Sequence, residues 1–131
     1  MNCIFCDFQK KKDLILWEDD LSYLILDIRP LSHGHLLLIP KEHSQFLHLL
    51  SDQSLSVILT NIKKIVVELD YKKYNILQNN GHIQSVNHVH FHIIPFNSSG
   101  DSLSINWDVQ DVDEEYIKCA SERVKNALTK K

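Results

Sequence analysis

The sequence predicts an α+β fold, with a mainly antiparallel sheet of about five strands, one long helix and one C-terminal helix. Three observations predict it. Short apolar runs are closed by Gly or Pro, as strands are. One segment, from Leu55 to Leu69, carries apolar residues at three- and four-residue steps. Strand and helix signals do not alternate in the regular order that builds a parallel sheet.

In chain order, Leu14 to Trp17 and Leu21 to Asp27 read as strands separated by the acidic turn Glu18-Asp19-Asp20. Pro30 disfavours helix at Arg29. His35 to Ile39 reads as a third strand, ended by Pro40. The long helix opens at Ser51, a good N-cap residue, with Asp52 in its first turn. Leu55, Ile58, Ile62, Ile65, Val66 and Leu69 share one face, and Lys63 and Lys64 lie opposite. Tyr74 to Gln78 is a short strand, and Asn79-Asn80-Gly81 is a turn. Asn87 to Ile94 is a strand stopped by Pro95. Residues 97–108 read as surface loop. A last helix, about 111–128, opens on the acidic run Asp111 to Glu115 and carries the apolar stripe Tyr116, Ala120, Val124 and Leu128. Lys130 and Lys131 suit its C-terminal dipole, and Cys119 reads as a small core residue.

The 131 residues suit a single domain over 1–131, with 44% hydrophobic and 24% charged residues. A formal charge of −3 gives no pull toward nucleic acid or an anionic membrane. No apolar run reaches the roughly 20 residues of a membrane helix, and the N-terminus turns polar and basic too soon for a secretory signal. These features set the expectation of an intracellular protein, cytoplasmic or nuclear, with neither a nucleic-acid nor a membrane partner. Three cysteines, an odd number, argue against a disulfide framework.

The informative segment is His88-Val89-His90-Phe91-His92-Ile93-Ile94. Alternate strand residues share a face, so His88, His90 and His92 project together while Val89, Phe91 and Ile93 enter the core. Neighbouring rings in such a row stand roughly 6–7 Å apart. A polar outer face that happens to use histidine would explain one such residue, but three in strict alternation between apolar partners argue against it. Between Tyr74 and Gly100 there is no Asp, Glu, Lys or Arg. No Mg²⁺ site is evident in that segment, and no lysine or arginine there clamps a phosphate. The remaining imidazole, amide and hydroxyl groups can act on an anionic phosphate through neutral hydrogen bonds and a protonated histidine. Histidine, with an ordinary pKa near 6.5, keeps a neutral nucleophilic nitrogen at pH 7. Its phosphorus adduct is labile, which divides one hard displacement into two easier ones.

These residues resemble the histidine triad (HIT) family, marked by His-x-His-x-His followed by two apolar residues. Leu24-Ile25-Leu26-Asp27-Ile28 is similar to the family's strand ending in Asp-Ile. Gly34-His35 with Leu38-Ile39-Pro40-Lys41-Glu42-His43 is similar to its Gly-His…Ile-Pro-Lys-x-His stretch, and Asn79-Asn80-Gly81 with Gln84-Ser85 to its nucleotide loop. The resemblance covers about residues 3–108. It implies a HIT-like fold and a nucleotide hydrolase in which His90 attacks the α-phosphate and is transiently nucleotidylated. His35 and His92 would flank the phosphate. Ser85 would position or protonate the leaving group, with Gln84 on the phosphate, Asn79 orienting it and Asp27 accepting the ribose hydroxyls. The loop before Gln84 looks about two residues short, and Ile83 stands where a glycine would ease backbone approach to phosphate.

Cys3-x-x-Cys6 has the spacing of a zinc half-site. By resemblance to bacterial-type, zinc-containing family members, His43 and His88 would complete a structural Zn²⁺ site, the alternative being a pair of reduced thiols. The resemblance also implies a purine nucleotide substrate and a twofold homodimer with the long helix and a strand edge at its interface. The expected substrate is a nucleoside phosphoramidate or a dinucleoside polyphosphate, with the C-terminal extension favouring the latter. A nucleotide sensor or scaffold without turnover, and a nucleotidyl transferase, are the alternatives.

Overall fold

The computed structural model describes residues 2–129, so Lys130 and Lys131 and their expected dipole contact lie outside the described residues. Five antiparallel strands form one sheet: β1 (Trp17–Glu18), β2 (Ser22–Leu26), β3 (Leu36–Pro40), β4 (Tyr74–Leu77) and β5 (Phe91–Pro95), in the order β1-β2-β3-β5-β4. The helices are α1 (Ile4–Phe8), α2 (Asp52–Ser56), α3 (Ile58–Glu68) and α4 (Glu114–Thr129).

Both faces of the sheet centre are covered, which explains why every residue of β3 is buried. Leu24, Leu36, Leu38, Val89, Phe91 and Ile93 pack on Ile58, Ile62, Ile65 and Val66 of α3. The alternate residues Tyr23, Ile25, Leu37 and Ile39 pack on Cys3 and Phe5 of the N-terminal segment. The period of two thus gives one face to a conventional core and the other to α1. The Tyr23 hydroxyl donates to the Phe5 carbonyl and ties α1 to the sheet.

Several boundaries differ from the sequence expectation. The long helix is two: Ser51 caps α2 by accepting from the Ser54 N–H at 3.1 Å, and Val57 then interrupts the path at φ −101°. The expected strand Leu14–Trp17 begins only at Trp17, because residues 12–14 form a single 3₁₀ turn. The histidine strand enters the sheet only at Phe91, because Val89 N–H goes to the Ser44 carbonyl. The face of α3 that carries Ile58, Ile62, Ile65 and Val66 is consumed by the core, while Leu59 and Val67 of the same helix are exposed. No residue of α4 is buried, and Cys119 is exposed rather than in a core. The stripe Tyr116, Val124 and Leu128 stands in solvent with Ile117.

Backbone strain concentrates in the two loops that approach the site. Gly34 has φ +89°, and an added Cβ would stand 2.7 Å from the Tyr71 hydroxyl oxygen, which itself bonds the Gly34 carbonyl at 2.6 Å. Ile83 has φ +58°, a left-handed conformation that a β-branched residue adopts only under strain. Opposite outcomes are expected at the two positions. Gly34→Ala should destabilise the fold by about 2 kcal/mol. Ile83→Gly should stabilise it by about 0.5–1 kcal/mol, the relief of strain exceeding the entropy cost of glycine. Urea denaturation midpoints check both.

Candidate active site

The register of the sheet builds the site. Ile25 pairs with Leu37, and Leu37 pairs with His92, so these residues form one row across β2, β3 and β5 on the α1 face. His90 joins them just before β5 begins. Together with Asp27, His35 and Ser85 they line a cavity of about 630 Å³. Ile4, Phe5 and Phe8 of α1 supply an apolar wall.

Hydrogen bonds fix the imidazoles in defined tautomers. His90 Nδ1–H donates to the His88 carbonyl at 2.7 Å, which leaves the Nε2 lone pair free. His35 Nδ1 accepts from the Leu31 N–H at 3.0 Å, so its proton is on Nε2. That proton is directed at His92 Nδ1, 2.9 Å away, with Asp27 Oδ2 at 3.5 Å. His92 therefore carries its own proton on Nε2. The site holds one imidazole with a free lone pair beside one with a free N–H, and their ring centroids are 4.9 Å apart. This is closer than the row spacing of a regular strand, because His90 precedes the paired segment.

Burial lowers the pKa of His90 and His35, with the Asp27 charge opposing it. His92 is pushed down to about 4, mainly by burial and then by its neighbours His90 and His35. All three rings are held neutral near pH 7. Asp27 itself is held by the Arg29 N–H, which its Oδ1 accepts at 2.8 Å.

His88 faces another way. Its Nε2–H donates to the Pro40 carbonyl at 2.8 Å, which turns the Nδ1 lone pair toward Cys3 and Cys6. Cys3, Cys6, His43 and His88 form a cluster that could hold a metal ion. A tetrahedral ion with bonds of about 2.3 Å to sulfur and about 2.0–2.1 Å to nitrogen has edges of about 3.5 Å between S and N and about 3.3 Å between nitrogens. The cluster shows S···N separations of 3.4, 3.4 and 3.7 Å and an N···N separation of 3.2 Å. The donor set and spacing fit. Asp27, His35 and His92 also converge, but the 2.9 Å contact between the two rings is that of a direct hydrogen bond.

The sequence-predicted residues thus separate into groups. His90, His92, His35, Asp27 and Ser85 meet at the cavity, and Cys3, Cys6, His43 and His88 meet in the cluster. Asn79 and Gln84 do not line the cavity. Gln84 is held in its loop, accepting from the Gly81 N–H and donating to the Gln45 carbonyl, both at 2.8 Å. The cavity as a whole is also not free of charge, since Asp13 and Arg29 line it with Asp27. Asp13, Arg29 and the wall of α1 had no sequence signal beyond lying near Cys-x-x-Cys and Asp-Ile.

Residues 9–98 match the HIT domain, and the chain belongs to this family. Over 132 residues it is 42% identical to the adenosine 5′-monophosphoramidase of Schizosaccharomyces pombe, covering 98% of this chain and 99% of the relative. The solved histidine triad nucleotide-binding protein from Candida albicans superposes with a TM-score of 0.87 at 37% identity, covering 97% of each chain. A HIT family member from Bacillus subtilis superposes with a TM-score of 0.83 at 29% identity, covering 100% of both chains.

The lowered pKa of His92 has a consequence for stability. Above its ordinary value of 6.5 neither the folded nor the unfolded state binds the proton. Below that value the unfolded chain takes up a proton that the folded chain refuses until about pH 4, so stability falls across this window. His92→Gln should remove part of that loss. Urea midpoints of the two proteins at about pH 7.5 and about pH 5 measure it.

Proposed function

We propose that the protein is a nucleotide hydrolase that cleaves a nucleoside phosphoramidate at its α-phosphate through a covalent nucleotidyl-His90 intermediate, releasing a nucleoside monophosphate. The observation that carries this reading is the free Nε2 lone pair of His90 at the cavity, with its proton fixed on the opposite nitrogen. The similarity to an adenosine 5′-monophosphoramidase favours the phosphoramidate over the dinucleoside polyphosphate and a purine base. It also favours an enzyme over a nucleotide sensor or a nucleotidyl transferase.

In this reading the nucleoside lies against the apolar wall, with Asp27 accepting the ribose hydroxyls. His90 Nε2 forms a bond to phosphorus while the P–N bond breaks. The His92 Nε2–H donates to a phosphate oxygen, and His35 positions it. Ser85 relays a proton to the departing amine. Water then attacks phosphorus, its proton leaves to solvent, and the electron pair of the His90–phosphorus bond returns to Nε2. Gln84 and Asn79 act through the loop that carries Ser85 rather than from the cavity wall.

Cys3, Cys6, His43 and His88 would hold a structural Zn²⁺, which supplies cross-linking of the N-terminal segment to the sheet and no step of the reaction. The reading includes a twofold homodimer, supported by the exposed edge strand β4 and by the uncovered stripe of α4. No helix among the described residues is long and apolar enough to cross a membrane. Unpaired cysteines suit an intracellular, cytoplasmic or nuclear, location.

Two experiments test these statements. After incubation with adenosine 5′-monophosphoramidate and acid-free quenching, peptide mass spectrometry should find adenylate on His90. His90→Ala should lack the adduct and lose roughly 10⁴-fold or more in kcat/KM; near-normal turnover by this variant would sink the assignment. Protein purified without chelators should carry near-stoichiometric zinc, and stripping it should lower the melting temperature. Cys6→Ser should bind zinc weakly, and a metal-free wild-type protein of unchanged stability would exclude the site.

A further inference from the structure

A second cavity, of about 500 Å³, adjoins the first and shares Ile4, Ser85 and Val86 with it. Neither His90 nor His92 lines it. Its polar side chains are the amides of Asn2, Gln45 and Asn87, the hydroxyl of Ser85, and Cys3 and His43 of the thiol–imidazole cluster, and no Asp, Glu, Lys or Arg is among the described residues that line it. The amide groups of Gln45 and Asn87 have no hydrogen-bond partner among the described residues, although the Gln45 carbonyl of the backbone is engaged by Gln84. Donors and acceptors thus face open space beside the one hydroxyl that borders both cavities.

We propose that this second cavity is the subsite for the departing amine and that it takes an uncharged, hydrogen-bonding substituent on the phosphoramidate nitrogen. The inference rests on the proposed function and extends it. Displacement at phosphorus is in line, so the leaving nitrogen lies opposite His90 Nε2. Ser85, which in the proposed function passes a proton to that nitrogen, borders the second cavity, and His90 does not line it. The P–N electron pair departs with the amine nitrogen, which takes its proton through Ser85, while the nucleotide stays on His90. A polyphosphate or carboxylate substituent would find no Lys or Arg among the described residues lining this space, and a Zn²⁺ held by two thiolates and two imidazoles would carry no net charge to offer it. A hydroxyl- or amide-bearing amine would instead find the vacant amides of Gln45 and Asn87.

Two nearly isosteric substrates test this: AMP joined through nitrogen to glycinamide and AMP joined to isobutylamine. The leaving group affects only the steps up to its departure, so kcat/KM is the readout, and the later hydrolysis of nucleotidyl-His90 is common to both. The less basic glycinamide nitrogen leaves more readily in every variant, so the readout is the change in the ratio. In the double variant Gln45→Ala/Asn87→Ala the preference for the glycinamide compound should fall by about 5- to 20-fold relative to the unaltered protein, the range of one to two net hydrogen bonds. The single variants should each show part of the loss and stand in if the double variant folds poorly. A ratio near one in the unaltered protein overturns the subsite, as does a ratio that both substitutions leave unchanged. Failure to cleave even unsubstituted adenosine 5′-monophosphoramidate would instead sink the proposed function, and this inference with it.

Discussion

The His90 Nδ1–H···O=C hydrogen bond to His88, at 2.7 Å, is the constraint from which the chemistry of the site follows. A neutral imidazole has one proton and one lone pair, and fixing the first fixes the second. Because the acceptor is backbone, the tautomer is tied to the path of the chain and not to a mobile side chain. That path is held in turn by His88, whose ring is anchored to the Pro40 carbonyl on one side and faces the Cys3 and Cys6 thiols on the other. The end of β3, the N-terminal segment and the approach to β5 therefore meet at a single residue. A disturbance of the thiol cluster would reach His90 through that backbone carbonyl and through the Phe5 ring, which stands edge-on to both His88 and His90.

The partner ring is set by a longer chain of donors. Leu31 N–H fixes His35, and His35 fixes His92, so the free N–H of His92 depends on a turn more than 60 residues away in sequence. Gly34 is what lets that turn close, since its carbonyl and its missing side chain both make room for Tyr71. Burial keeps these rings neutral, and Asp27 opposes burial in all three. A phosphate anion placed among them would act in the same direction as Asp27, against a burial that still holds the rings neutral.

What the sequence revealed was what has a strict period. The alternation of His88 to Ile94 placed Val89, Phe91 and Ile93 in the core, and the helical period placed Ile58, Ile62, Ile65 and Val66 against them. The Ser51 cap was legible because a cap is a local hydrogen bond. Features set by tertiary contacts were not. Helix α1 has five residues, too few for a period, and only its packing on Tyr23 and Leu37 makes it a wall of the cavity. The late start of β5 depends on Ser44, which competes for a backbone N–H from a distant loop. The stripe of α4 was read correctly as apolar, but a period says that a face seeks cover and not what covers it. Cys119 was misplaced in a core for that reason. An isolated helix of this length is marginal in water, so the bare face of α4 is the part of the chain whose stability this single copy does not explain.

Catalysis requires interactions that strengthen toward the transition state rather than ones already complete with substrate bound. Among the described residues lining the main cavity, Arg29 carries the only fixed positive charge, and it lies beyond Asp27 rather than in the histidine group. A ring of cations around phosphorus would hold substrate and product phosphate tightly alike. In the proposed reaction the positive charge arises with the chemistry. As His90 Nε2 bonds to phosphorus, the ring becomes cationic, and its Nδ1–H bond to the His88 carbonyl becomes charge-assisted and stronger. When water breaks the adduct the ring returns to neutrality and that gain is lost. The nucleoside monophosphate is then left facing neutral groups, which favours its release. A neutral pocket built on imidazoles is therefore the arrangement that stabilises the intermediate without retaining the product.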